Sequence, residues 1–346
     1  MFKNPKNLAY LLVAVSTLAA TLSFYFWQMS FSPNLNVDGK KDIILYIRKG
    51  ATYQTVLDSL RKHKAINDEM AFGFLTKKMK YQENVKPGRY EIPPNSSNRK
   101  IVTKLRAGDQ DPVMLTFNNI RIKDELAEKI GNKLLIDKKE ILELLNDEAV
   151  CAKYGFNLET VMCMFLPDTY DVFWDATPEQ FMDRMHKEYK KFWNSDRIED
   201  AQAINMSPVQ IGVMASIVQS ETNNKEEMPR VAGVYVNRIQ QNIHLDADPT
   251  VKFAVGDFTL RRILNKHLTI DSPYNTYRNA GLPPGPIALP ERVAIDAVLG
   301  YEKHNYIFFC AKEDFSGRHN FAVTYAEHLK NADIYRKALD ERGIKK

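Results

Sequence analysis

Ser207-Pro208-Val209-Gln210-Ile211-Gly212-Val213-Met214-Ala215-Ser216-Ile217-Val218-Gln219-Ser220-Glu221-Thr222 is the stretch on which the reading of the chain turns. Serine is a favoured helix N-cap and proline a favoured first helical residue, so a helix starts at Pro208. Met214, Ile217, Val218 and Glu221 are separated by steps of three and four and share one helix face. A carboxyl group on an apolar stripe is at least partly buried, and burial disfavours its charged form. Its pKa then rises toward the range a general acid needs near neutral pH. The same spacing also fits a helix-end glutamate that turns to solvent or pairs with Arg230 or Arg238.

Outward from this helix, the pattern predicts a helix over about 229–241 with Val231, Val234, Tyr235 and Ile239 on one stripe. Upstream, Pro178 to Trp193 is helical, further helices lie near 123–134 and 138–146, and a strand covers Val113 to Phe117. Phe165 to Tyr170 is loop-like around Pro167. Downstream, Asp246 to Tyr301 is rich in turn residues, with helices near 259–266 and 290–299. A hairpin around Ser316-Gly317 joins Tyr306–Ala311 to Asn320–Thr324, and a terminal helix covers 325–341. Before Val113, Ile43–Arg48 and Arg89–Ile92 read as strands, and Thr52–Lys64, Met70–Met79 and Asn98–Ala107 as helices. Ser30 to Lys41, polar with Pro33 and Gly39, reads as a linker. The expected class is α+β: a small unit at 42–108 and a larger mixed domain at 113–346. Strand, two helices and strand is also the order of a LysM-type glycan-binding module.

Leu8 to Met29 is 22 residues without a charge. As a helix it is about 33 Å long, enough to cross a bilayer core of about 30 Å. Phe24, Tyr25, Phe26 and Trp27 crowd its far end as an aromatic belt does, and Lys3 and Lys6 precede it, which places the N-terminus in the cytoplasm. Residues 1–33 are therefore read as a tail, a single transmembrane anchor and the start of the linker. A cleaved signal peptide has a similar start, but the run is long for one and no clear small-x-small site follows.

The chain has 346 residues, 44% hydrophobic and 26% charged, which excludes a disordered, collagen-like or multi-pass membrane class. A net charge of +5 over this length, without a clustered basic face, gives no nucleic-acid partner. Cys151, Cys163 and Cys310 form no CxxC pair or secreted disulfide framework; the apolar neighbours of Cys163 and Cys310 favour buried thiols, with one pair open in an oxidising compartment. No histidine spacing gives a metal site, and no GxSxG, P-loop or GxGxxG supports a serine nucleophile or a nucleotide. Three segments are dense in turn and ring residues: 246–250, 272–277 and 281–287. Stiff loops of this kind can wall a groove, and tyrosine and asparagine suit sugar rings and N-acetyl groups, although each segment alone also reads as a structural turn.

These segments occur together and in order. Ala215–Thr222, Val231–Arg238, Asp248–Val251, Ser272–Tyr277, Gly281–Ile287, Gly317–Phe321 and Glu327-His328, with Leu166–Tyr170 upstream, resemble the endolytic murein transglycosylases, the YceG-like family of bacterial inner-membrane enzymes. The resemblance covers about 165–330, and the anchor and the 42–108 unit also fit the family plan, in which a LysM-like subdomain precedes the catalytic part. It departs at Gln219, often acidic in the family, and at Met162-Cys163, often Glu-Gly. The resemblance implies a lyase that cleaves peptidoglycan between N-acetylmuramic acid and N-acetylglucosamine without water or cofactor, leaving 1,6-anhydro ends. It sets Glu221 as the catalytic residue and Glu227, Asn237, Asp248, Tyr274, Asn275, Tyr277 and His319 as substrate-binding. It implies a single-pass inner-membrane protein with a periplasmic catalytic domain, glycan strands as partner and peptidoglycan polymerases as candidate neighbours. A non-catalytic peptidoglycan-binding scaffold of the divisome and a water-using muramidase are the rival functions.

Overall fold

The computed structural model describes residues 5–260 and 262–343; Lys3, and Arg261 within the expected 259–266 helix, lie outside them. The chain is mixed α+β, its described strands pair only in twos, and its contacts divide into two units. One unit holds the chain up to Met114 with 133–135 and 171–176; the other holds 115–132, 136–170 and the chain from Thr177 onward.

The first unit begins with α1 (Pro5–Phe31), β1 (Pro33–Leu35), β2 (Ile43–Ile47), α2 (Tyr53–Lys62) and α3 (Glu69–Lys78). It continues with β3 (Gly88–Ile92), β4 (Ser96–Ser97) and α4 (Asn98–Ala107). Among the described residues, α1 is the one helix long and apolar enough to cross a membrane, and its span is unburied. Its last turn is tied down: Asn98 Nδ2 donates to the Met29 carbonyl at 2.9 Å, and the Phe26 and Phe74 rings meet edge to face. The stretch expected to be a linker is not one. Pro33 and Leu35 pair antiparallel with Ser97 and Ser96, and Leu35 is fully buried. Local composition cannot report a ladder whose partner lies some sixty residues away. β2 and β3 pair antiparallel from Ile43↔Ile92 to Ile47↔Gly88 and cover a core of Leu45, Leu60, Phe72, Tyr90 and Ile101. Gly108 ends α4 with φ +74°, a left-handed cap that suits glycine.

After β5 (Val113–Thr116) come α5 (Lys123–Gly131), α6 (Lys138–Leu145) and α7 (Glu148–Lys153). A 3-10 turn at Val161–Met164 and β6 (Thr169–Val172) flank 165–168, which is loop as expected, and β6 takes only the last two residues of the expected loop. α8 (Pro178–Phe192), α9 (Ser195–Ala203), α10 (Pro208–Glu221), α11 (Met228–Gln240), α12 (Asp248–Val255), α13 (Asn265–Leu268) and α14 (Arg292–Leu299) follow. β7 (Phe308–Ala311), β8 (His319–Ala322) and α15 (Tyr325–Glu341) complete the second unit. α10 is its axis. Ser207 Oγ accepts the Gln210 N–H, Gln210 Oε1 accepts the Ser207 N–H, and Pro208 opens the helix. Every residue from Ile211 to Val218 is buried, so the helix is enclosed on all sides instead of carrying the single stripe expected from its spacing. α9, α11, α12 and α14 pack against it. α12 corrects the turn expected at Asp248-Pro249-Thr250: proline sits in its first turn, where its missing N–H costs nothing.

Candidate active site

Glu221 is the last residue of α10 and partly buried. Tyr235 on α11 is 1% exposed, and its hydroxyl donates to Glu221 Oε1 at 2.7 Å. Burial pushes the Glu221 carboxyl up to about 7; Asp248 pushes the same way, while the Tyr235 hydroxyl and the Arg238 guanidinium pull it down. The partial negative charge at a helix C-terminus adds to the penalty on the ionised form. Neither arginine weighed against this arrangement pairs with Glu221. Arg230 bonds Glu302 at 3.0 Å. Arg238, 7% exposed, donates to Asp246 and to the carbonyls of Ile307, His244 and Leu245.

Glu221 and Asp248 line two cavities at once. The larger, about 850 Å³, includes Gln219, Asn223, Phe253, Phe258 and Leu289. The smaller, about 440 Å³, is walled by Tyr235, Tyr277, Phe308, Phe309, His319 and His328. A carboxyl group shared by two open cavities can act on the middle of a threaded chain. Two side chains on α10 fix one wall. Gln219 clamps the 289–291 backbone, donating to the Leu289 carbonyl and accepting the Glu291 N–H, and Ser216 Oγ accepts the Ile287 N–H.

The residues expected to bind substrate divide. Asp248, Tyr277 and His319 line the smaller cavity, and the Tyr277 hydroxyl donates to Asp248 Oδ1 at 2.8 Å. The other four do not reach either cavity that holds Glu221. Asn275 is fully buried, its amide donating to the Leu268 and Ile270 carbonyls and its Oδ1 accepting the Tyr277 N–H. It shapes the loop that presents Tyr277. Asn237 Nδ2 is held by the His304 and Tyr306 carbonyls at 2.7 and 2.9 Å. Glu227 is 8% exposed; Oε1 accepts the His319 N–H at 2.9 Å, and Oε2 lies 2.7 Å from His319 Nδ1. Its contact is with His319, which it orients from behind. Tyr274 sits in a separate cavity of about 480 Å³ with its ring centroid 4.7 Å from that of Phe253. Two members of the cluster take roles not expected of them. Tyr235 looked like one more residue on the apolar α11 stripe, and Arg238 like an ion-pair partner for Glu221. A tyrosine on a buried stripe, whose hydroxyl needs a partner, was the available signal.

Among the described residues no group of three or more His, Cys, Asp or Glu is placed to hold a metal ion. Cys151 and Cys163 are buried free thiols and Cys310 is a half-buried one. Burial pushes the Cys163 thiol up to about 12, which leaves it unreactive.

The sequence profile of the YceG-like family matches residues 45–334. A Bacillus subtilis protein named endolytic murein transglycosylase is 28% identical over 323 residues, 88% of each chain. The Streptococcus pneumoniae D39 protein of the same name is 25% identical over 327 residues, which span 86% of this chain and 59% of that relative. The crystal structure of a putative yceG-like protein from Listeria monocytogenes superposes with a TM-score of 0.56 at 28% identity, covering 84% of this chain and 99% of the other. With the profile running from β2 into α15, the chain belongs to the YceG-like family.

Proposed function

We propose that the protein is an endolytic lytic transglycosylase that cuts peptidoglycan glycan strands between N-acetylmuramic acid and N-acetylglucosamine. The observation that carries this is Glu221, a desolvated carboxyl raised to about 7 and shared by two cavities. The names of the Bacillus and Streptococcus relatives support it. Protonated Glu221 donates to the glycosidic oxygen, and the C1–O bond breaks toward an oxocarbenium-like centre. The resulting carboxylate removes the proton of the muramic acid 6-hydroxyl, whose oxygen closes on C1. The product is a 1,6-anhydro ring, Glu221 is again protonated, and no water, metal or cofactor enters. Because the nucleophile belongs to the same sugar, its effective molarity reaches about 10⁵ M or more when well oriented. Tyr235 holds the carboxyl in line, and Tyr277 and Asp248 face the sugars.

In this reading α1 is a single-pass anchor in the inner membrane, with the N-terminus cytoplasmic and the catalytic domain in the periplasm. The enzyme then meets strands as they leave the polymerases and ends their growth. The strand–helix–helix–strand order of β2, α2, α3 and β3 supports a LysM-like, glycan-binding role for 42–108.

A water-using muramidase is favoured by one observation, the second carboxyl group of Asp248 beside Glu221 on both cavities. Mass spectrometry of the ends made from uncrosslinked strands by the full-length protein in detergent separates the readings. Anhydromuramic ends are expected. Reducing ends heavier by one water would establish the muramidase, and binding without new ends would establish a scaffold.

A further inference from the structure

Four cationic side chains line the larger cavity: Arg121 before α5, Lys225 in the α10–α11 connection, Lys252 on α12 and Arg262 beyond it. Among the described residues none of the four forms a close ion pair, and the nearest counter-charge shown is Asp257, which feels the Lys252 ammonium. Elsewhere in the same unit arginines are paired, Arg230 with Glu302, Arg292 with Asp168 and Arg318 with Glu226. The Arg121 guanidinium is instead held 5.1 Å over the Phe258 ring, which fixes it at the cavity wall. The acids of this cavity offset only part of the four charges: it holds three carboxyl groups, Asp248, Glu291 and Glu221, and Glu221 is largely neutral below about pH 7. The smaller cavity differs. Its one lysine or arginine is Arg238, buried and engaged with carbonyls and Asp246, and the remaining wall is mostly aromatic.

Glu221 therefore divides a cationic cavity from an aromatic one. The sugar rings of peptidoglycan are uncharged where the lactyl group is amide-linked to a stem peptide, and the anions of such a strand are the peptide carboxylates. We propose that Arg121, Lys225, Lys252 and Arg262 recognise stem-peptide carboxylates on one side of the scissile bond, while the aromatic cavity takes the sugars on the other. This rests on the transglycosylase reading of the site and adds a specificity: the enzyme selects strands that carry peptides with free carboxylates. Charge recognition by exposed groups weakens as salt rises, whereas sugar stacking does not.

The test compares two substrates with the full-length protein: peptide-bearing uncrosslinked strands, and the same strands with peptide carboxylates amidated and amines acetylated. The parent protein is expected to show a KM roughly tenfold lower for the carboxylate-bearing strands at similar kcat, a preference that fades with salt. A Lys225→Gln, Lys252→Gln, Arg262→Gln variant is expected to treat the two strands alike. Equal KM values for the parent, or an undiminished preference in the variant, overturn the proposal. Neutralised strands that still carry their lipid pyrophosphate form a third arm; if they regain the preference, the anion read is the pyrophosphate and the carboxylate assignment is wrong. Should the parent cut no strand at all, the transglycosylase reading fails, and fluorescence anisotropy of both strands with Glu221→Gln still decides the charge proposal.

Discussion

Glu221→Gln is expected to lose at least about 10³-fold in kcat, because in the proposed mechanism one carboxyl acts first as acid and then as base, and each role contributes about 10²–10⁴-fold. That is about 4 kcal/mol of transition-state stabilisation. The fold stays intact, since the glutamine carbonyl can still accept the Tyr235 hydroxyl. Stability moves the other way. The folded protein raises the Glu221 pKa from 4.5 to about 7, so the stability this group contributes is fully present below about 4.5 and is lost as pH rises through about 7. Above that pH, holding the ionised carboxyl in this site costs on the order of 3 kcal/mol. Glutamine cannot ionise. The variant should melt with the parent at about pH 5 and above it at about pH 8.5, read by calorimetry at both. Parental activity in the variant, or equal melting at the higher pH, contradicts this role for Glu221.

The second large effect belongs to Tyr235. The phenylalanine variant keeps the ring in its buried place against Phe309 and removes only the hydroxyl that Glu221 accepts. Burial and the Glu221 carboxyl keep the Tyr235 phenol well above its ordinary pKa, so it stays a donor across the working range. Donation favours the charged form of Glu221, and its removal drives the Glu221 pKa further up, by about one unit. Tyr235→Phe should therefore lower kcat by about 10- to 100-fold through lost alignment, while the alkaline limb of the kcat/KM profile moves to higher pH. A general loosening of the fold would lower activity at every pH and leave the limb in place.

Local signals served where local physics decides. Ser207-Pro208 starts α10, Gly108 ends α4, and the spacing of α15 marks it from Tyr325 to Glu341. What escaped was decided at a distance or by a residue with two uses. β1 exists because Ser96–Ser97 pairs with it. Asp248-Pro249-Thr250 carries turn residues that also start helices. Glu221 stood out because a charged residue on an apolar run needs an explanation, whereas Tyr235 drew no attention because a tyrosine on such a run does not. Asn275 and Asn237 have the right chemistry for sugars but lie in the packing, where buried amides are consumed by backbone carbonyls.

The proposed mechanism requires Glu221 to hold its proton near neutral pH. Infrared difference spectroscopy of the parent against Glu221→Gln, followed across pH, reads that carboxyl directly. A protonated carboxyl band lost with a midpoint near 7 is the predicted result. A midpoint near the ordinary glutamate value of 4.5 would leave the site without its acid and contradict the mechanism.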